Sequence, residues 1–474
     1  MVLERFVRGQ KANAAGTALA LAASGAGAIA LLWLAYLAPW LWAGRQAPSP
    51  LGGWLPAPYW RGLDFAREHL ANRPSYLFGE TRFSPWPLYY PIAFALKATL
   101  PFLALFAASL LAALRSPRRL PAETAAVLAA LAYCLAAYEM VDLQIGIRHF
   151  LPFWLFAFLL CGMAAGAAAK ERRRFWRKSA AGLLALHAAA AVWAFPNYIP
   201  YFNAAAWAFG GPVRCLGDSN LDWGQGLPAL ARWRRAVGSE PLALSYFGTD
   251  DPGRHGLEGR MLPGFWYNFA HEPPLSLRET PMRGLFAIGA SNLQGLYFES
   301  ELGFNPYAGF LKQKPIATPG GCVFVYRMDS NETILSAAIG QYRAEVERGG
   351  TPAALFGLAC ALMENGEHAR AAALFEQLPA EFERGAEADA RMGACALFLG
   401  EFDTAARRLA AAARRRPGDP KIRYNLGGAL YELGRFGEAR QAYSDAERLS
   451  PGYLDAREMA DRCEARIAAE RSGR

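Results

Sequence analysis

Apolar residues run in long unbroken stretches over residues 1–196 but recur at helical spacing over residues 331–474, so the two ends predict different elements. A bilayer core takes about 20 helical residues. Ala14 to Trp42, Tyr89 to Leu114, Glu123 to Val141, Phe150 to Ala169 and Ala180 to Phe195 predict about five membrane helices, the last being the shortest. The first stretch is too long for the apolar core of a secretory signal, and no small-residue cleavage site follows it. Trp40, Trp42, Trp86, Tyr89 and Tyr90 fall near helix ends, where amphipathic rings favour the membrane interface.

Charge orients these helices. Arg5, Arg8 and Lys11 precede the first, Arg115 to Arg119 join the second and third, and Lys170 to Lys178 join the fourth and fifth. With five helices all three clusters fall on one side, which the positive-inside rule makes the cytoplasm. The expectation is a multi-pass protein of the cytoplasmic membrane with residues 44–88, the 142–148 turn and everything after 196 outside. The net charge of +9 sits largely in these clusters, which directs it to membrane orientation and away from nucleic acid.

The C-terminal pattern has a period. Gly366, Gly400 and Gly434 are spaced by a constant step, which is kept by Ala371, Ala405 and Ala439, by Phe375, Leu409 and Tyr443, and by Leu358, Met392 and Leu426. Pro417 and Pro451 end two of the units. A small residue lets two helices approach, a large apolar one fills the gap, and glycine ends the first helix of each pair. This pattern resembles the tetratricopeptide repeat, in which each helical hairpin buries its apolar face against its neighbours. Tyr453 to Ala469 would cap the stack. The resemblance implies a protein partner in the concave groove; the alternative is that the repeats pack against the chain's own outer segment.

Between these parts, residues 197–330 alternate turn formers with short apolar runs. Pro241 to Phe247, Gly284 to Ala290 and Cys322 to Arg327 predict buried strands, and Leu227 to Ala236 a helix. The fold class is therefore mainly α: a polytopic membrane domain over 1–196, a small α/β extracytoplasmic domain over 197–330, and an α-solenoid over 331–474. The seven cysteines lack metal-binding spacing. Cys215 and Cys322 bracket the middle segment and would pair only in an oxidising compartment.

Polar residues gather at the predicted outer helix ends: Lys97, Glu139, Asp142, Arg148 and His149. Charges near a membrane are costly, so they pair or line a functional cavity; an Arg148–Asp142 ion pair is the plainer reading. His187 reads as a helix-packing residue. The run Asp218-Ser219-Asn220-Leu221-Asp222-Trp223-Gly224-Gln225 has the look of a binding loop. Asp218 and Asp222 are candidates for a divalent cation, although their spacing is not that of a calcium loop and turn stabilisation is the simpler role. No cofactor follows from the sequence.

Several segments, in order, carry a second resemblance: Pro58 to Leu63, Trp86 to Pro91, Leu96 to Pro101, Gly146-Ile147-Arg148-His149-Phe150-Leu151-Pro152, and Asp218 to Gln225. Together they resemble the C-terminal half of bacterial lipid-carrier-dependent glycosyltransferases of the GT-C fold, relatives of protein O-mannosyltransferases and of the aminoarabinose transferase. The resemblance implies transfer of a sugar from a polyprenyl-phosphate carrier to an outer-face acceptor. It places Lys97, Arg148 and His149 at the carrier phosphate, and Asp218, Asn220, Asp222 and Gln225 in an outer-loop motif. The family's catalytic acid belongs to a first external loop; here Asp64, Glu68 and Glu80 stand outside such a motif, and no catalytic base is assigned. A membrane-anchored repeat scaffold for envelope proteins is the competing expectation.

Overall fold

The computed structural model describes residues 73–115, 120–140, 143–170, 174–238, 240–264 and 274–472, besides six isolated positions nearer the N-terminus. The first expected membrane helix, Ala14 to Trp42, lies outside the described residues. The chain divides into two units, and the larger, Pro74–Arg474, contains the bundle, the sheet and the repeats.

This unit opens with a hairpin, β1 (Ser75–Leu77) and β2 (Glu80–Arg82). Five apolar helices come next: α1 (Tyr89–Lys97), α2 (Leu100–Leu114), α3 (Ala122–Glu139), α4 (Leu151–Lys170) and α5 (Arg174–Ala194). The second expected helix, Tyr89 to Leu114, is thus two helices. Pro101 has no N–H to offer and its ring would strike the carbonyl one turn back, so a continuous helix cannot pass. Ala98 turns extended, and Thr99 caps the new helix by accepting the Phe102 N–H at 3.3 Å. The fifth helix begins at Arg174, six residues before Ala180, and takes in part of the basic cluster.

Among the described helices, Ala122–Glu139 and Ile147–Ala168 are long and apolar enough to cross a membrane, and Leu100–Leu114 is apolar but shorter. Aromatic rings knit the bundle where α1, α2 and α4 meet: Phe94 lies against Phe102, Phe106, Phe153 and Trp154. Phe102 also stacks on Trp154 at 5.6 Å.

Past the bundle, α6 (Leu227–Val237) covers one face of a four-stranded sheet of β3 (Leu242–Ser245), β4 (Arg260–Met261), β5 (Pro281–Gly289) and β6 (Val323–Thr333). The order is β4-β3-β5-β6, with β3 parallel to both neighbours and β5 antiparallel to β6. The two-residue period of a strand sorts its side chains. Leu285 and Ala287 of β5 point to α6, while Phe286 and Ile288 point to the opposite layer. That layer is made by Phe304, Tyr307 and Phe310 together with the first repeat helices.

β6 runs directly into α7 (Ile334–Glu347), whose first turn is capped by Thr333. Three hairpins come after it: α8 (Pro352–Glu364) with α9 (His368–Phe375), α10 (Gly385–Phe398) with α11 (Phe402–Arg415), and α12 (Pro420–Glu432) with α13 (Phe436–Leu449). The stack closes with α14 (Ala456–Ser472). Gly366, Gly400 and Gly434 all adopt positive φ after the first helix of each pair, the conformation that made glycine recur there. One core joins Phe286 and Ile288 of the sheet to Phe356 and Met392 of the repeats, so residues on both sides of 330 are packed together. Burying a large apolar side chain in such a core contributes about 1.5–3 kcal/mol.

Candidate functional site

The break between α1 and α2 is the seat of the site. A helix end leaves its last carbonyls without partners. Asn203, buried, supplies them: its Nδ2 donates to Ala95 O and Ala98 O at 2.6 and 2.7 Å, and its backbone N–H donates to Leu96 O at 3.0 Å. The Lys97 ammonium, at the last turn, donates to Ile199 O at 2.6 Å and Asn220 O at 2.7 Å and lies 4.3 Å from the centre of the Phe202 ring. Lys97 therefore fastens the segment around Ile199 and Asn220 to the helix bundle.

Asn220 is fully buried and links three segments: its own loop, α1 and the turn at Ile147. Its Oδ1 accepts from Ile147 N at 2.8 Å. Its Nδ2 donates to Tyr89 Oη and to Gly217 O, each at 3.0 Å. Ser219 beside it donates to Ile145 O at 3.0 Å. Gly146 is needed for this approach, because a Cβ there would sit 2.1 Å from Ser219 Oγ. Residues 73 and 131 positions away in the sequence, Ile147 and Tyr89, thus meet through one carboxamide.

Arg148 is exposed at the start of the Ile147–Phe150 turn. Its guanidinium stands 4.7 Å from the centre of the Trp223 ring, a cation–π distance, and its Nε donates to His149 Nε2 at 3.3 Å. Lys97, Arg148 and His149 are all near the Asn220 loop, but Lys97 is spent on carbonyls whereas Arg148 presents its charge at the surface. Asp142 lies outside the described residues. Glu139 accepts the Leu88 N–H at 3.0 Å.

The carboxylates of the 218–225 loop turn inward. Asp218, with positive φ, accepts from Ser219 N and from the Tyr297 hydroxyl. Asp222 accepts from Gly224 N at 3.0 Å and from Ser291 N at 3.4 Å. Burial pushes the Asp222 carboxyl up to about 7, against the pull of these N–H donors. Gln225 closes the same turn, accepting from Trp223 N at 2.6 Å and donating to Leu221 O at 3.1 Å. Asp222 and Gln225 brace their own turn, while Asp218 and Asp222 also tie it to Tyr297 and Ser291. Among the described residues, no three His, Cys, Asp or Glu side chains gather as a metal site.

Three further positions resolve. His187 Nδ1 lies 2.7 Å from Thr99 Oγ1, which makes it a helix-packing residue. Cys215 and Cys322 are separately buried free thiols, so the pairing left open by the sequence is not formed. Of the acidic residues considered for the first loop, Glu80 is tied to Arg82 at 2.9 Å along the same strand, β2, and Glu68 lies outside the described residues. Sequence reasoning missed Gln144, which is buried and brackets Trp86 by accepting from its N–H at 2.7 Å and donating to its carbonyl at 2.9 Å. A buried carboxamide between two apolar runs was the only signal for it.

The repeat surface is divided. The Phe298–Glu301 turn and Gly303 press against α8 and α10: Arg384 donates to Glu299 O at 2.6 Å, Arg391 to Glu301 O at 3.1 Å, and a Cβ on Gly303 would meet Cys360 Sγ at 2.5 Å. The later helices α12 to α14 pack chiefly on one another and on α10 and α11.

The tetratricopeptide repeat family matches residues 335–389 and 392–453. No curated protein matches the chain. Among solved structures, MamA MSR-1 aligns at 21% identity over 29% of this chain and 80% of its own, with a TM-score of 0.27. MamA 41-end from Desulfovibrio magneticus RS-1 aligns at 21% identity over 29% and 87%, with a TM-score of 0.25. The family match and the stacked hairpins agree: the protein is mainly helical and carries tetratricopeptide repeats at its C-terminus.

Proposed function

We propose that the protein is a membrane-anchored scaffold that recruits a protein partner through its later repeats. The observation that carries this reading is the division of the repeat stack: the first hairpin and the start of α10 are fixed to the sheet domain, while the end of α10 and helices α11 to α14 pack chiefly on their repeat neighbours. An array held at one end and open at the other suits display of a binding surface. Phe398, at the end of α10, is 71% exposed with one ring face stacked on His368 of α9 at 4.3 Å, and Leu399 beside it is 43% exposed; the two make an apolar step on the repeat surface.

Anchoring is supported by the apolar surface of the bundle. Leu111, Leu114, Tyr133, Leu155, Trp193 and their neighbours are exposed on helices α2 to α5, where a water-facing surface would be polar. With the expected orientation, the protein is a multi-pass component of the cytoplasmic membrane whose repeats face outward. The test is affinity co-purification from detergent-solubilised membranes. A partner retained by the natural chain should be lost with Phe398→Glu; equal retention would refute the reading.

A second reading is favoured by the convergence of Lys97, Arg148 and Asn220 from separate segments. In it the bundle is the C-terminal half of a lipid-carrier-dependent glycosyltransferase, and the exposed Arg148 guanidinium meets the polyprenyl-phosphate of a sugar donor. The chain in nanodiscs should then bind polyprenyl phosphate, and Arg148→Ala should weaken binding at least tenfold. Binding that is absent, or unaffected by the substitution, would discard this reading and leave the scaffold.

A further inference from the structure

Between Lys178 and Arg214 the chain holds no Asp, Glu, Lys or Arg, although α5 ends at Ala194. The charge-free stretch therefore outlasts the helix and takes in a short 3₁₀ turn, Ala204-Ala205-Ala206-Trp207-Ala208-Phe209. Turns that face water are built from polar residues and glycine. Here every residue is apolar, and only Ala206 is buried. Trp207 is 71% exposed and Phe209 52%.

The tip of the β1–β2 hairpin adds to the same surface. Phe78 and Gly79 both take positive φ there, in a kind of turn that favours Asn-Gly. Phe78 is 42% exposed, and its ring lies 4.7 Å from that of Phe209. A bulky residue is rarely held in the left-handed region, and here the result is an apolar ring at the surface, which points to a use outside the core.

Both pieces are fixed to the bundle. Phe78 N–H donates to Cys215 O at 3.1 Å, and Leu77, Ala206, Cys215 and Leu216 share one core with Phe94 and Phe102. Asn203 caps the 204–209 turn by accepting from Ala205 N at 2.9 Å, while its Nδ2 holds Ala98 O. The next residue, Thr99, meets His187 of α5, and α5 runs on for about 10 Å past His187 before it ends. The turn therefore starts at a depth that α5 has already passed.

We propose that Phe78, Trp207 and Phe209 form an aromatic platform seated in the headgroup–acyl boundary of the bilayer, with lipid as its occupant. The platform rests on the anchored reading of the bundle. Lipid is selected by continuity: the charge-free stretch leads from the exposed Trp193 and Phe195 at the end of α5 straight into the turn, and the exposed surface of α2 to α5 is apolar as well.

Nitroxide labels on Trp207→Cys, Ala208→Cys and Phe209→Cys test it by power saturation, with the full chain in phosphatidylcholine–phosphatidylglycerol nanodiscs and the native thiols buried. Oxygen concentrates in lipid and a nickel chelate stays in water, so the ratio of their effects should be about threefold or more higher at these positions than at Arg235→Cys on the exposed face of α6. Leu155→Cys, on the exposed surface of α4, reads the anchoring separately. A lipid-like label at Leu155 with water-like labels at 207–209 overturns the platform and keeps the anchor. Labels at 207–209 shielded from both reagents show a protein, a second copy or another partner, in place of lipid and overturn it as well. Water-like labels at both places refute anchor and platform together. Ala208 is small and exposed, so its label decides the matter should removal of either aromatic ring disturb the fold.

Discussion

At the residue scale, Asn220 and Asp222 carry the outer loop by different means. Asn220 closes three side-chain hydrogen bonds in a site without water access. Asn220→Ala leaves Ile147 N–H and Gly217 O unsatisfied and should destabilise the protein by about 3 kcal/mol, since each buried orphan costs about 1–3 kcal/mol. Chemical denaturation of the purified chain checks this; a loss below about 1 kcal/mol would mean the loop is not anchored there. Asp222 makes a pH prediction. Its folded carboxyl titrates at about 7, above the ordinary value of 3.8. Below the ordinary value both states are protonated and the site costs nothing. Between the two values the unfolded chain releases a proton that the fold retains, so stability falls as pH rises, then levels above about pH 7. Asp222→Asn removes this slope. The stability of the variant relative to the parent should therefore climb from pH 4 to 7 and stay flat above; a difference independent of pH would show that Asp222 is already ionised in the fold. The sequence singled out these residues because turn formers crowd there, but it could not tell which donors each carboxylate meets. Asn203 and Gln144 show the same limit, since what a carboxamide satisfies depends on which helix end folds against it.

At the element scale, the repeat helices were legible because their packing demands the same residue at the same step. Gly427 and Gly428 test that demand side by side. A Cβ on Gly427 would sit 2.9 Å from the Tyr443 ring, whereas one on Gly428 has only Tyr443 Oη at 3.6 Å. Gly427→Ala should cost about 1–3 kcal/mol through overpacking. Gly428→Ala should be neutral or stabilise by up to about 1 kcal/mol through helix propensity. Thermal melts of the two variants decide, and equal effects would contradict the packing described between α12 and α13. The split of α1 from α2 was less legible. Tyr89 to Leu114 read as one apolar run, and only Thr99 and Pro101 together mark a cap and a stop within it. α7 was not read from the residue period, although the family match begins within it at residue 335, and it packs into the core shared with the sheet.

At the scale of the whole molecule, the chain grades from an apolar bundle through a sheet domain into a repeat stack, and the middle joins are made by packing rather than by linkers. Sequence patterning marked β3, β5 and the start of β6, because short apolar runs bounded by turn formers fit buried strands, but it missed β1, β2 and the two-residue β4. It could not mark the core that unites the sheet with α7 and α8, because that contact is set by the third dimension. The anchored orientation predicts that a reporter fused after Glu470 is active outside the cytoplasm; activity inside would reverse the placement of the repeats. The central claim is that the later repeats form the partner surface while the chain itself covers the first. Site-specific photocrosslinking across the stack tests it most directly, with the crosslinking residue placed in turn at Phe356, Arg391, Phe398, Tyr431 and Arg462. The account predicts intermolecular adducts at Phe398 and Tyr431 and only intramolecular products at Phe356 and Arg391. Adducts to a partner at Phe356, or none at Phe398 and Tyr431, would contradict it.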